Sequence, residues 1–280
     1  MQSHLLSLNL KLEQAEDKRF ASFLGRAQDW VTASILGVEL EDLLEIDIAV
    51  GQPNPHAKLR DLTGRVISEL AYLDSVPESD LQRSEAGFVV QNNDKMSPAS
   101  QQRVDRLVQS LNARLNTDCD ALVNYLLKNS GEHDPYDDWR ATEEFNYLTM
   151  AFMPTMTIMR QYAGQNTVQR WQGFYDLLPK LAASLRTTVA NYVSIEEVET
   201  LLELYRDQEL VEEQKKALRW MRMAVLAEAS GNMPDATKYA IEARQWMLKH
   251  ESSFPSFVAS DRYELPSPFN FGDGTVANLL

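Results

Sequence analysis

Two segments of this sequence, 158 residues apart, carry the same pattern of apolar and acidic residues. Leu40-Glu-Asp-Leu-Leu-Glu45 matches Val198-Glu-Thr-Leu-Leu-Glu203, and at the same offset Val31 aligns with Val189. Apolar residues at these spacings lie on one face of a helix. In each half a second amphipathic segment follows, and then a third that begins at a proline. A repeated order of elements indicates an internal duplication; chance similarity between two acidic amphipathic helices is the alternative.

Helical spacing also dominates the rest of the chain. Only eleven glycines and eleven prolines interrupt 280 residues, and the apolar residues between them recur at steps of three and four. In the first half this predicts a helix over 23–44 that bends near Gly37, and a second over 59–73 that ends before Pro77. A third begins at Ser97-Pro98, because serine is a favoured N-cap and proline at the first helical position loses no hydrogen bond.

The third helix has a counterpart in the second half of the chain. In the first half its apolar stripe continues to Leu126, with a break expected near Asn116-Thr117. The second half repeats the order with a helix over 215–229 and another that starts at Pro234. The sequence therefore predicts a mainly α fold made of two related antiparallel helical-bundle units.

Two short segments alternate apolar and polar residues, which is the period of a half-buried strand. They are 6–12 and 87–91, and the turn-forming Asn92-Asn93-Asp94 follows the second. We expect these segments to pair with each other as a minor β element of the first unit, which the shorter second copy lacks.

The positions of prolines, glycines and polar stretches divide the chain into four predicted parts. The first helical unit with its short strands spans 1–130, a linker and the start of the second unit span 131–156, and the second helical unit spans 157–250. The remainder, 251–280, is predicted as an extended arm that docks onto another surface, because it combines prolines and glycines with apolar side chains. The aromatic residues expected to make that contact are Phe254, Phe257, Tyr263, Phe269 and Phe271.

The charge of the chain limits its partners. It has 27 lysines and arginines against 41 aspartates and glutamates, a net charge of −14. Such a balance argues against a free-standing nucleic-acid binder, which needs a basic surface, but it is compatible with a wall that DNA passes without sticking. Residues 1–13 lack a signal-peptide pattern, and the most apolar stretch, 147–159, is too short to span a bilayer. We expect a protein made in the cytoplasm with no membrane contact.

No motif of catalysis or cofactor binding stands out. A phosphate loop, a His-Glu-x-x-His pair and a Gly-x-Ser-x-Gly elbow are all absent from the sequence. One histidine and three aspartates, His133, Asp134, Asp137 and Asp138, have the chemistry to hold a cation, but a solvated linker explains them as well. Cys119 is the single cysteine, and the acidic residues beside it disfavour a thiolate. We therefore predict no enzyme activity, no metal and no cofactor.

Methionines recur every third residue around Pro154. Met153 and Met156 are the central pair, and thioethers at this spacing either fill apolar gaps inside the protein or line an adaptable contact surface. We include both residues among the candidate interaction residues, with internal packing as the alternative.

Several stretches resemble an uncharacterised family of helical proteins of tailed bacteriophages and prophages, which are similar to head–tail connector (adaptor) proteins. The resemblance extends to about His250, and the stretches that carry it are Gly87-Phe-Val-Val-Gln91 with Ser97-Pro-Ala-Ser100 and the helix after them, Trp139, Phe152-Met-Pro-Thr155, Trp171, Phe174 and Leu177-Leu-Pro179. One departure is that Val193-Ser-Ile195 lacks the glycine of Ile35-Leu-Gly37.

That resemblance implies a virion protein made in the bacterial host and assembled as a homo-oligomeric ring. Its partners would be copies of itself, the portal and the tail proteins, with DNA only as passing cargo. Two alternatives remain open from the residues. One is a cytosolic helical-repeat module that binds a protein partner, and the other is a metal-dependent enzyme that uses the segment 133–138.

Overall fold

The computed structural model describes residues 18–45, 54, 56–79, 81–84, 87–90, 101–130, 136–163 and 168–264. Within them the chain is mainly helical, which confirms the prediction of a mainly α protein. It divides into two compact units, 1–178 and 179–280. None of the described helices has the length and apolar character that crossing a bilayer requires.

The helices of the first unit are α1 (Lys18–Val31), α2 (Val38–Glu45), α3 (Ala57–Ser79), α4 (Gln101–Asn129), α5 (Tyr136–Arg140), α6 (Glu143–Thr149) and α7 (Met156–Ala163). The unit boundary falls within α8 (Trp171–Ser184). The helices of the second unit are α9 (Ala190–Val193), α10 (Ile195–Arg206), α11 (Glu212–Ala229), α12 (Met233–Lys249) and α13 (Pro255–Val258).

The first unit extends beyond the predicted linker at 131–156. Trp139 on α5 is fully buried, and its indole N–H donates to the carbonyl oxygen of Ile35 at 2.7 Å. Phe145 on α6 lies against it, with ring centroids 5.1 Å apart. These side chains belong to the core of the first unit, so the boundary follows Leu178 instead.

The predicted bend near Gly37 is confirmed. α1 continues into a π-helical turn, Thr32–Leu36, which ends where the N–H of Gly37 donates to the carbonyl of Thr32 at 2.9 Å. Gly37 has a φ of +74°, a backbone conformation that is unfavourable for residues with a Cβ. A Cβ here would also lie only 3.1 Å from Oε2 of Glu144. Glycine at this position therefore lets the chain turn from α1 into α2.

Two details of α3 and α4 differ from the sequence-based expectations. α3 does not end before Pro77 but continues to Ser79. Proline lacks an N–H, so Pro77 removes the hydrogen bond to the carbonyl of Leu73, and the helix ends within the same turn. α4 is unbroken at Asn116-Thr117. The amide of Asn116 donates to the carbonyl of Gln169 at 2.8 Å, and the Thr117 hydroxyl donates within the helix. The Asn116 amide and the Thr117 hydroxyl thus both donate hydrogen bonds, and the helix continues through them.

A two-stranded antiparallel hairpin joins α3 to α4. Strand β1 (Leu81–Ser84) pairs with β2 (Gly87–Val90), with Leu81 opposite Val90 and Ser84 opposite Gly87. β2 lies in the predicted segment 87–91, but its partner is β1 and not 6–12. That N-terminal segment lies outside the described residues.

The segment after residue 250 begins as helical turns. Glu251–Ser253 form a 3₁₀ turn and α13 follows it. Phe254 and Phe257 are fully buried, and the backbone N–H of Phe257 donates to Oε2 of Glu197 at 2.7 Å. The prediction of an extended arm is wrong for this part, because its two phenylalanines fill the core of the second unit.

Candidate interaction surface

Three aromatic side chains of the first unit lie half-buried where α1, α6 and α8 meet. They are Trp30, Tyr147 and Tyr175, which we call the aromatic face. The rings of Tyr147 and Tyr175 are stacked with centroids 4.4 Å apart, and Trp30 meets Tyr175 edge-on at 6.2 Å. Because each side chain is only half-buried, part of this aromatic surface remains open to solvent.

A buried tryptophan fixes the inner end of this stack. Trp171 is fully buried, stacks with Tyr175 at 6.1 Å and meets Trp30 edge-on at 5.8 Å. Its indole N–H donates to Oδ1 of Asp120 at 2.9 Å. Asp120 also accepts from the backbone N–H groups of Met156 and Thr157 at 2.9 and 2.7 Å. This carboxylate therefore holds α4, α7 and α8 together beneath the aromatic face.

Two carboxylates flank the aromatic face, and we call them the acidic pair. Glu144 lies one turn before Tyr147 on α6, and Asp176 follows Tyr175 on α8. Burial raises the pKa of Tyr175 to about 12, with a further contribution from the negative charges of Tyr147, Glu144 and Asp176. Within the described part of the chain neither member of the acidic pair forms an ion pair.

This arrangement is suited to a cation that carries hydrogen-bond donors. Aromatic rings that are partly exposed attract a guanidinium or ammonium group, and nearby unpaired carboxylates add charge and acceptor oxygens. A bare metal ion fits less well, since the described residues contain no cluster of three or more histidine, cysteine, aspartate or glutamate side chains able to hold one.

The residues predicted to make contacts lie elsewhere. Met153, before α7, and Met156, its first residue, are both fully buried, as the alternative of internal packing predicts. Phe254 and Phe257 lie in the core of the second unit. Tyr263 is half-buried beside them, and its hydroxyl donates to Glu251 at 2.7 Å. Phe269 and Phe271 lie outside the described residues.

The predicted cation-binding segment is only partly described. His133 and Asp134 lie outside the described residues, whereas Asp137 and Asp138 are exposed in the first turn of α5. Cys119 is fully buried on α4, and burial raises the pKa of its thiol well above the usual value, with Asp120, Glu69 and Asp118 adding to the effect.

Two buried carboxyl groups were not distinguished by the sequence. Burial raises the pKa of Glu197 to about 7, although backbone hydrogen bonds from Phe257 and Ser256 oppose that shift. Burial also raises the pKa of Glu69 to about 8, and the adjacent carboxylate of Asp118 adds to this. Glu69 is buried in the first unit and Glu197 in the second.

Sequence analysis missed the aromatic face, although a weak signal was present. Tyr175 directly follows the buried Phe174, and Tyr147 stands two residues after the buried Phe145. Helical residues one and two positions apart point about 100° and 200° from each other, so the second aromatic residue of such a pair is directed away from the centre of the buried face. A large aromatic residue beside a core aromatic residue is therefore a candidate surface contact.

Comparison with known proteins assigns no activity to this fold. Residues 22–148, from α1 into α6, match a family described as "Family of unknown function (DUF6712)". No curated protein and no solved structure matches the chain. The matched stretch includes Trp30, Glu144 and Tyr147, whereas Tyr175 and Asp176 lie beyond it.

Proposed function

We propose that this chain is a structural subunit of a closed homo-oligomeric ring, acting as a head–tail connector of a tailed bacteriophage. The observation that carries the proposal is the aromatic face. Stacked, half-open aromatic rings beside unpaired carboxylates are typical of a protein contact surface, where tyrosine and tryptophan are enriched. Docking between portal and tail, in a virion, is the role that the sequence resemblance implies.

An internal duplication belongs to this proposal. Gly37 and Ser194 both have positive φ, +74° and +99°, with ψ of 166° and 152°. Each follows a helix with a π-helical turn, and each precedes an amphipathic helix whose first turn is acidic, α2 or α10. Two longer helices follow in both halves, and the β1–β2 hairpin is the minor β element added to the first. The shared unusual backbone supports a common origin of the two halves.

The charge of the chain agrees with a DNA-exit channel. A net charge of −14 repels phosphates, so a duplex passing an acidic wall does not bind to it. The exposed glutamates of α10, Glu196, Glu199 and Glu203, are candidates for such a wall.

The alternative function is a helical-repeat module that binds a different protein through the same aromatic face. The two functions differ in self-association. A connector forms one closed multimer, whereas a module remains a monomer or dimer with its partner bound.

Native mass measured over rising protein concentration separates them. The wild-type chain is measured alone and with a portal protein encoded beside it. A discrete multimer, alone or on the portal, supports the connector. A monomer under both conditions contradicts it and leaves the interaction module.

A further inference from the structure

The helix α4 carries an exposed basic flank opposite in character to the acidic pair. At about 100° per residue, Arg103, Arg106 and Arg114 fall on one side of the helix together with Leu107, which is 40% exposed. The other exposed residues of this side are Ser110, Ala113, Thr117, Asn124 and Lys128. We call this side the arginine flank.

The acidic residue nearest the arginine flank is Asp118, which lies half-buried one turn after Arg114 and interacts with Glu69. Asp105, the acidic residue in the first turns of α4, lies about 160° around the helix from Arg103 and accepts a hydrogen bond from Gln101 at 2.9 Å. In the described part of the chain, Arg103 and Arg106 form no ion pair. An arginine stripe with an exposed leucine, in a chain of net charge −14, fits an acidic and aromatic surface.

We propose that the aromatic face of one copy binds the arginine flank of a second copy of this chain. Guanidinium groups stack on tyrosine and tryptophan rings and bind carboxylates through two donors, so they satisfy both components of the aromatic face. Leu107 supplies apolar contact between the arginines. The inference rests on the proposed ring and names the contact that joins its subunits.

The placement of the two surfaces makes the contact head-to-tail. The aromatic face lies on α1, α6 and α8, and the arginine flank lies on α4, so each copy offers one surface of each kind. A contact between two different surfaces leaves one of each free for the next copy. Repetition then gives a ring when the rotation closes.

The test uses two complementary full-length variants. One carries Arg103→Glu and Arg106→Glu, which leaves the aromatic face intact. The other carries Glu144→Lys and Asp176→Arg, which leaves the arginine flank intact. Circular dichroism and thermal unfolding establish that both are folded, and Lys238→Glu with Glu209→Arg, two exposed changes in the second unit, is the matched control.

Native mass under conditions where the wild type assembles gives the result. Each variant alone should remain a monomer, with self-association weakened at least about 30-fold, while the control assembles normally. An equimolar mixture of the two should associate again, because the intact aromatic face of one variant can bind the intact arginine flank of the other.

Three outcomes overturn the inference. If both variants assemble like the wild type, the contact is elsewhere, although the ring itself stands. If only the aromatic-face variant fails while the arginine-flank variant assembles like the wild type, the aromatic face binds another cationic surface, such as a portal segment, and not the arginine flank. If the wild type is monomeric alone and with the portal, the proposed function fails and the inference fails with it.

A milder pair of variants tests the chemistry of the contact. Tyr147→Phe keeps the ring and should assemble nearly as the wild type does, whereas Tyr147→Ala should weaken assembly about 10-fold. Equal effects of the two would contradict a contact made by the ring face.

Discussion

The carboxylate of Asp120 on α4 accepts a 2.9 Å hydrogen bond from the indole N–H of Trp171 on α8. The same carboxylate accepts three hydrogen bonds from the start of α7, including one from the Thr157 hydroxyl. Asp120 is 7% exposed, so water could hardly take its place as the acceptor for these donors. One buried aspartate therefore positions the support of the aromatic face.

The first prediction concerns this aspartate. Asp120→Asn replaces one oxygen with an amide that faces donors, whichever way the side chain is turned. Buried donors left without an acceptor cost about 1–3 kcal/mol each, so we expect unfolding free energy to fall by about 3 kcal/mol. Chemical denaturation measures it, with the exposed Asp105→Asn as control. Equal stability of the two variants would show that the Asp120 hydrogen bonds contribute nothing.

The second prediction concerns the paired positive-φ residues. Gly37→Ala introduces a Cβ at a φ of +74° and close to Glu144, which should destabilise the fold by about 1–2 kcal/mol. Ser194→Gly relieves the same backbone strain but removes the hydroxyl that accepts from the N–H of Glu197. Its stability should therefore change by less than about 1 kcal/mol. A destabilisation at Ser194 as large as that at Gly37 would argue against equivalent turns.

Helix positions could be predicted because their apolar period is a local property. The turn at Gly37 and the start of α12 near Pro234 followed from the same local signals. Which residues are buried by contacts between distant parts of the chain could not be predicted from such local patterns. Trp139 packs against residues far away in the chain, and its N–H donates to a carbonyl 104 residues earlier. The helix α5 that carries it was therefore predicted as part of a linker.

The candidate surface was the least predictable part. Phe254 and Phe257 are followed by prolines and glycines, a composition typical of an arm, yet a carboxylate from α10 and the surrounding core hold them. Trp30, Tyr147 and Tyr175 meet only through tertiary packing of three helices. Aromatic residues far apart in sequence give no local sign that they form one surface.

The third prediction is a pH dependence set by Glu197. Its pKa is raised to about 7 in the folded chain from about 4.5 when unfolded. Between these values the folded state binds more protons, so the contribution of Glu197 to stability is fully present below about pH 4.5 and is lost as pH rises through 7. Across this pH range the free energy of unfolding should change by on the order of 3 kcal/mol because of Glu197.

Glu197→Gln should remove this part of the pH dependence. The amide oxygen still accepts from the N–H of Phe257, but it does not ionise. The variant should therefore have a higher free energy of unfolding than the wild type at pH 8 and a similar one at pH 5. Urea denaturation at the two pH values measures it. Glu196→Gln, an exposed neighbour, is the control and should follow the wild type. A variant that is less stable than the wild type at pH 8 would contradict the account.

The fourth prediction concerns the single cysteine. Burial and three nearby carboxyl groups keep the Cys119 thiol protonated, and a thiol reacts mainly as the thiolate. Labelling with an aromatic disulfide reagent at pH 8 should be slow in the folded protein and rapid in denaturant. Rapid labelling of the folded chain, at the rate of a free thiol, would show that the α4 core opens readily.

Imaging of the assembled protein tests the central claim most directly. Electron microscopy class averages of the wild-type multimer, prepared alone or on the portal, report whether head-to-tail contacts close. The account predicts closed rings with a central opening and one rotational symmetry. Open filaments, two-fold symmetric dimers or single monomers under both conditions would contradict a connector ring.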